Sequence, residues 1–273
     1  RILGKRPDGF HELSSIVAFA DISDVVEMTL GKAAGFSLSG SYANALCGDD
    51  NLVMRAVEAF AQARPGTREA AFKLCKQLPV AAGLGGGSAD AAAVLRLLNR
   101  TSPNPLAEDE IENLAQTLGS DVPVCVASRA ALMQGRGERV STIPDFPALA
   151  AVLVNPGIAL NTAGVYEALG AEPLGADEND AISASPDFAS AQDVVDYMLK
   201  TGNDLQSAAV KIAPAIEDVL SSINRMPGCA VARMSGSGPT CFGIFRSGVG
   251  ADDAAQSLSA QHPEWWIRKT ILS

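Results

Sequence analysis

The sequence predicts an α+β protein of two domains, on three observations. Its 273 residues allow two domains of roughly 100–200 residues, or one large one. Strand-like and helix-like runs mix along the chain without strict β-α-β alternation. A proline-punctuated stretch, PDFPAL at 144–149, separates two apolar runs and reads as a linker. The expected domains are therefore 1–145 and 146–273. An apolar fraction of 47% supplies the core.

The elements follow in order. Residues 15–30 (SIVAFADISDVVEMTL) hold two apolar runs split by an Asp-Ile-Ser-Asp turn and predict strands. From Asn51, Leu52, Val53, Ala56, Val57 and Phe60 recur at helical spacing, with Asp50 or Asn51 as cap and Pro65-Gly66 as stop. AAFKLCKQLP alternates and predicts a strand. A helix is expected from about Ser88 to Arg100, and another from Ala107 to Leu118 with Gly119 as stop. SDVPVCV places Val122, Val124 and Val126 on one face of a predicted strand, and 130–140 predicts strand, glycine bend and strand. AAVLVNPG reads as a buried strand ending in a turn, followed by helices at about 190–201 and 204–223. RMSGSGPTCFGIF predicts strand, glycine turn and strand; a helix near 250–261 and the strand WWIRKTIL close the chain.

Charge narrows the partners. Twenty-one basic against 31 acidic residues leave a formal net charge of −10, which argues against nucleic-acid or membrane surfaces. Cys47, Cys75, Cys125, Cys229 and Cys241 form no CxxC pair, and with only two histidines they predict free, buried thiols in a reducing compartment rather than a zinc site. No run reaches the length of a membrane span and no signal peptide is visible, so a cytoplasmic location is expected. The sequence begins at Arg1 without a methionine.

The chemistry concentrates at PVAAGLGGGSADAAAVLRLL, residues 79–98. A strand leads in and a strong helix follows, which a mere linker does not require. Glycines let backbone N–H groups approach an anion, and the first helical turn adds unpaired donors and a partial positive charge. Together they predict a phosphate site. It is not a P-loop, because no lysine precedes Ser88, nor a dinucleotide turn, because Ser88 stands where GxGxxG needs its third glycine. Ser88 reads equally as helix N-cap and as hydroxyl ligand to phosphate or Mg²⁺. Asp90 reads first as a complement to the helix dipole; beside a polyphosphate it must either point away or face a metal ion.

The stretch from Pro79 to Ala93 resembles the ATP-binding loop of the GHMP small-molecule kinases. RPDGFHEL at 6–13 and LGSDVPVCV at 118–126 are similar to the segments of the branch that acts on 4-diphosphocytidyl-2-C-methyl-D-erythritol in the non-mevalonate isoprenoid pathway. DNLVMRA at 50–56, NPG at 155–157 with Asn161-Thr162, NDL at 203–205 and RMSGSGPTCF at 233–242 also fit. The resemblance implies a two-domain GHMP kinase fold, ribosomal-protein-S5-domain-2-like in the N-terminal half and ferredoxin-like in the C-terminal half. It implies transfer of a phosphoryl group from ATP, with Mg²⁺, to the 2-hydroxyl of that cytidine-linked alcohol.

Residue by residue, the resemblance implies nucleotide contacts from Pro79, Val80, Ala81, Ala82, Gly83, Leu84, Gly85, Gly86, Gly87, Ser88 and Ala89. It implies Asp121 as the catalytic carboxylate, a residue that composition alone would read as a strand cap. His11 and Phe10 are implied to meet the cytosine ring; the family typically has tyrosine at position 10, so stacking survives there and a phenol hydrogen bond does not. Thr162, Gly236 and Gly238 are implied on the substrate side, where Thr162 otherwise caps a helix and the glycines make a tight turn. Lys76 is either a solvated lysine at a strand end or a phosphate contact, and Asn51 a helix cap or an adenosine contact. The family's leading strand with its Pro-Ala-Lys-x-Asn segment does not occur after Arg1, so about 15–20 preceding residues are expected. Without them a crippled enzyme and an unpaired sheet edge are expected. Two rival readings stand beside this one: another GHMP kinase, of homoserine or mevalonate type, and a catalytically impaired nucleotide-binding homologue.

Overall fold

The computed structural model describes residues 1–46, 51–175 and 185–273. Cys47 and Asp50, two residues named above, lie outside the described residues. In chain order the strands are β1 (Ile2–Lys5), β2 (His11–Val17), β3 (Val25–Leu30), β4 (Gly35–Ser39), β5 (Ala70–Cys75), β6 (Ala131–Gly135), β7 (Arg139–Thr142), β8 (Leu149–Asn155), β9 (Cys229–Met234), β10 (Cys241–Phe245) and β11 (Trp266–Leu272). The helices are α1 (Leu52–Ala63), α2 (Gly86–Thr101), α3 (Glu108–Leu118), α4 (Val122–Ala127), α5 (Thr162–Leu169), α6 (Ala191–Thr201), α7 (Leu205–Ile212), α8 (Ala215–Asn224) and α9 (Gly248–Gln261). The described residues group into two compact units that interleave along the chain: 23–80 with 85–128, and 1–22 with 81–84 and 129–273.

In the unit of residues 23–80 and 85–128, the sheet has the order β3-β5-β4, with β3 antiparallel and β4 parallel to β5. α2 is its hub, in contact with α1, α3, α4 and β3. The reason is its sequence. Ala91, Ala92, Val94, Leu95 and Leu98 are all buried, and the small alanines let neighbouring helices approach while the larger residues fill the space between them. The Asn51 side chain accepts a hydrogen bond from the Met54 N–H at 2.9 Å and caps α1. α3 begins with Glu108, Asp109 and Glu110, which complement the positive end of its dipole.

The other unit carries two antiparallel sheets, of order β1-β2-β6-β7 and β11-β8-β10-β9. One face of the second sheet packs Val152, Val154, Met234 and Ile267 against α5, α7, α8 and α9 through Val165, Ala209, Ile216, Val219 and Leu258. Ala151, Val231 and Ile244 meet Val194 and Val195 of α6 and Phe188 on the opposite side. Alternation along β8 thus feeds two cores, which is why its residues read as a continuous apolar run.

Three expectations are corrected. Residues 122–127 are helical: Pro123 falls in the first turn of α4, where its missing N–H is no loss, and Val122, Pro123, Val124 and Cys125 are all buried. The period of two in the valines was too short to separate strand from buried helix. The single helix expected over 204–223 is two, because Ala213 leaves the helical region (φ −135°, ψ 84°) ahead of Pro214, the N-cap of α8. α2 begins at Gly86, two residues before Ser88. The strand β1 lies outside the elements read from the sequence.

Candidate active site

The glycine loop turns through left-handed backbone at Gly83 (φ 71°) and Gly85 (φ 65°). Gly85 stands at the N-cap of α2, and no side chain caps that end. This corrects the reading of Ser88 as the cap: Ser88 is the third residue of the helix. The first helical bond runs from the Ala89 N–H to the Gly85 carbonyl at 2.9 Å. The N–H groups of Gly86, Gly87 and Ser88 precede it and have no intrahelical acceptor, as at any helix start. Such a start binds an anion by hydrogen bonding and by its dipole. A Cβ on Gly87 would lie 3.6 Å from Leu52 Cδ1, which places the Asn51-capped start of α1 beside the start of α2.

Lys76 is neither at the surface nor solvated. It follows β5 directly, and its ammonium is 3% exposed between Asp24 Oδ2 at 2.5 Å and Asp90 Oδ2 at 2.9 Å. Asp24 Oδ1 accepts the Gln77 N–H at 2.5 Å and the Leu78 N–H at 2.9 Å. The Lys76 backbone is held as well, its N–H by Ser39 O at 2.7 Å and its carbonyl by the Tyr42 N–H at 3.0 Å. Burial raises the Asp90 carboxyl from 3.8 to about 6 against the opposing pull of Lys76. Asp90 therefore points inward to a lysine, which settles which way its side chain faces. A Cβ on Gly86 would stand 3.2 Å from Lys76 Nζ, so the buried charge cluster lies directly beneath the first turn of α2.

Asp121 occupies the N-cap position of α4, but its side chain makes no capping bond. The residue is open to solvent, while the protein massed around it raises its carboxyl above the usual carboxylate range by desolvation. An accessible carboxylate, unspent in capping and with raised proton affinity, can accept a proton from an alcohol. The far end of α4 is tied to α2: Arg96 Nη1 donates to the Cys125 carbonyl at 2.5 Å. Burial pushes the Cys125 and Cys241 thiols up to about 12. Those two cysteines are buried, Cys75 and Cys229 partly so, and all four are free.

In the other unit, residues 81–84 lie against the turn between β9 and β10. Ser235 Oγ donates to the Gly83 carbonyl at 2.8 Å, and the Thr240 N–H to the Ala82 carbonyl at 3.2 Å. A Cβ on Gly83 would sit 2.6 Å from Gly238 O and 2.7 Å from Ser235 O, so backbone packs on backbone here. Gly238 precedes a cis proline, Pro239. Asn203 Nδ2 holds this turn through the Met234 carbonyl at 2.9 Å and the Gly236 carbonyl at 2.8 Å. Thr162 Oγ1 lies 2.9 Å from Ser237 Oγ, and Asn155 Nδ2 donates to Thr240 Oγ1 at 2.9 Å. The NPG, Asn161-Thr162, NDL and SGSGPT segments thus converge on one turn. Asn161, rather than Thr162, caps α5, accepting the Gly164 N–H at 3.3 Å.

Phe10 and His11 close a turn in which the Gly9 N–H donates to Arg6 O at 3.1 Å and the Arg6 N–H to Phe10 O at 2.8 Å. Phe10 is 52% exposed, with the Arg136 guanidinium 5.0 Å from its ring centre. His11 faces Tyr166, ring centres 4.8 Å apart, and burial and then the Lys5 charge lower its pKa. Beneath the turn the buried Glu12 carboxylate receives Arg6 on one oxygen and Arg139 on the other. Sequence reading missed Asp24, Glu12, Arg139, Tyr166 and Ser235. All act through partners distant in sequence, so only the neighbouring motifs could have drawn attention to them.

Residues 51–129 match the family of the GHMP kinases N terminal domain, and residues 184–264 that of the GHMP kinases C terminal. The two matches define the class of protein, a small-molecule kinase with paired GHMP domains. A 4-diphosphocytidyl-2-C-methyl-D-erythritol kinase of Rhodopseudomonas palustris (strain BisB18) is 43% identical over 279 residues, covering 100% of this chain and 90% of that protein. The enzyme of the same name from Methylorubrum extorquens (strain PA1) is 43% identical, covering 100% and 94%. A crystal structure of 4-(cytidine 5'-diphospho)-2C-methyl-D-erythritol kinase superposes with a TM-score of 0.78 at 28% identity, covering 100% of this chain and 94% of that one. Homoserine kinase from Cytophaga hutchinsonii shares the fold, with a TM-score of 0.68 at 17% identity, covering 97% and 88%. The chain belongs to the GHMP kinase family, among its 4-diphosphocytidyl-2-C-methyl-D-erythritol kinases. No helix among the described residues is long and apolar enough to cross a membrane.

Proposed function

We propose that this chain transfers the γ-phosphoryl group of ATP to the 2-hydroxyl of 4-diphosphocytidyl-2-C-methyl-D-erythritol, in the cytoplasm. The observation that carries the reading is the start of α2: a left-handed Gly85 at the N-cap with no side-chain cap, leaving backbone N–H groups for a phosphate chain. Phosphoryl transfer needs mainly positioning and charge stabilisation, which such a start supplies. Pro79 to Ala89 line the nucleotide, with Asn51 at the adjacent helix start. Asp121 accepts the proton of the 2-hydroxyl as its oxygen bonds to the γ-phosphorus and the bond to ADP breaks. His11, whose proton affinity is lowered by burial and then by the Lys5 charge, and Phe10 present ring faces to the cytosine. Thr162 and the turn of Gly236 and Gly238 bound the alcohol. The division into an N-terminal ATP-binding GHMP domain, 1–145, and a C-terminal GHMP domain, 146–273, is part of the same proposal.

Among the described residues no group of three or more His, Cys, Asp or Glu side chains is arranged to hold a metal ion. Mg²⁺ fits such a site through phosphate oxygens and water, and the Ser88 hydroxyl is the nearby protein donor, since Asp90 is engaged by Lys76. When bound, the ion neutralises charge on the phosphates.

The test is ATP consumption with competing alcohols. Turnover of the cytidine-linked alcohol, abolished by EDTA, is expected. Turnover of mevalonate or homoserine with none of the cytidine-linked alcohol would sink the substrate assignment. ATP binding without any turnover would favour the impaired homologue.

A further inference from the structure

The ammonium of Lys76 is surrounded. Asp24 and Asp90 take it at 2.5 and 2.9 Å, and all three side chains are at most 7% exposed. Its two partners are themselves tied to different pieces of chain: Asp24 to the Gln77 and Leu78 N–H groups, and Asp90 to the first turns of α2, where a Cβ on Gly86 would stand 3.2 Å from Nζ. Two of the three N–H donors of the ammonium are taken by carboxylates, and the side chain is buried. A buried charge cluster is also not the cheapest way to stabilise a core, because apolar residues of the same volume usually do as well or better. What the cluster does provide is direction. It fastens the beginning of α2 to the chain that leaves β5, on either side of the glycine turn.

We propose that Lys76 is a positioning residue for the nucleotide loop: through Asp24 and Asp90 it fixes the first turn of α2, and so aims the N–H groups of Gly86, Gly87 and Ser88, without touching the nucleotide. This rests on the ATP-binding reading above. It replaces a direct phosphate contact with an indirect one, and makes a different prediction about variants. Asn at position 90 keeps an oxygen acceptor for the lysine, so Asp90→Asn holds the turn, whereas Asp90→Ala releases it. Removing all three charges together removes the unpaired-charge penalty, yet the turn stays unfastened.

The experiment measures the affinity of a non-hydrolysable ATP analogue by calorimetry, the KM of the alcohol, and the melting temperature. The proteins are the wild type, Lys76→Met, Asp90→Asn, Asp90→Ala and the triple variant Asp24→Asn/Lys76→Met/Asp90→Asn. Lys76→Met and Asp90→Ala are expected to bind the analogue about tenfold more weakly, the equivalent of one misaligned charge-assisted hydrogen bond, with the KM of the alcohol unchanged. Asp90→Asn should bind within about twofold of the wild type. The triple variant should recover melting temperature over Lys76→Met but not affinity. Recovery of both, or wild-type affinity in Lys76→Met, overturns the proposal and leaves a purely stabilising cluster. Equal affinities for Asp90→Ala and Asp90→Asn overturn it too, and decide the matter if the lysine variants do not fold. A wild type that binds no nucleotide overturns the ATP reading itself.

Discussion

Two glycines of one loop share a backbone conformation and differ in what surrounds them, so alanine at each separates the causes. Gly83 and Gly85 have φ of 71° and 65°. Alanine in that region costs about 1–2 kcal/mol from the clash of Cβ with its own backbone. At Gly85 nothing lies within 4 Å of the added carbon, and that cost is the whole effect. At Gly83 the carbon would press to 2.6 and 2.7 Å against the carbonyls of Gly238 and Ser235. Those atoms are backbone in a turn held by Asn203 and Ser235, so they cannot swing aside as a side-chain end could. Overpacking of this kind adds about 1–3 kcal/mol, for about 2–5 kcal/mol in all. Thermal unfolding followed by circular dichroism reads it directly, at roughly 2–4 °C per kcal/mol for a chain of this size. Gly83→Ala should melt clearly below Gly85→Ala. Equal melting points would refute the claim that backbone packing, rather than φ alone, demands glycine at position 83.

Asp121→Asn should lower kcat by about 10²–10⁴ while leaving nucleotide affinity near wild type, and kcat/KM of the wild type should begin to fall with acid above the usual carboxylate range, because desolvation raises that carboxyl; an unchanged kcat refutes the assignment. Asp90 binds its proton more tightly folded than unfolded, so its contribution to stability is full below pH 3.8 and is lost as pH rises through about 6. At about 1.4 kcal/mol per tenfold change in proton affinity the loss is of order 3 kcal/mol, and a denaturant series across that window should show it in the wild type and not in Asp90→Asn. The His11 pKa lies below its ordinary value, so the rise in the KM of the cytidine-linked alcohol with acid should be centred below pH 6.5; a rise centred at 6.5 or above contradicts the environment described. Leu95→Ala, at the fully buried centre of α2, should cost about 2–5 kcal/mol in the same denaturant assay, and a cost under 1 kcal/mol would contradict its place in the core.

Local signals were legible in the sequence. α1, α3 and the β9-turn-β10 segment follow from apolar spacing, caps and glycine, and the strand, glycine loop and helix around residues 79–98 follow from the same cues. The valines at 122, 124 and 126 misled, since a period of two over a short run fits a strand as well as a fully buried helix turn. Pro214 was a stop signal inside an otherwise unbroken apolar pattern, and it outweighed that pattern. The least legible residues are those defined by partners. Asp24 reads as half of an Asp-Ile-Ser-Asp turn, yet it meets Lys76 across 52 residues of sequence. Glu12 reads as a charged residue beside a histidine, yet it is buried under two arginines, one of them 127 residues away. Such pairings arise from tertiary packing, which composition and periodicity do not encode.

The measurement closest to the central claim is ³¹P NMR of the protein with ATP, Mg²⁺ and 4-diphosphocytidyl-2-C-methyl-D-erythritol. ADP and one new phosphomonoester resonance are expected, formed in equal amounts, and formed at least about 10²-fold more slowly with Asp121→Asn. Inorganic phosphate in place of the monoester, or an unchanged spectrum, would contradict it.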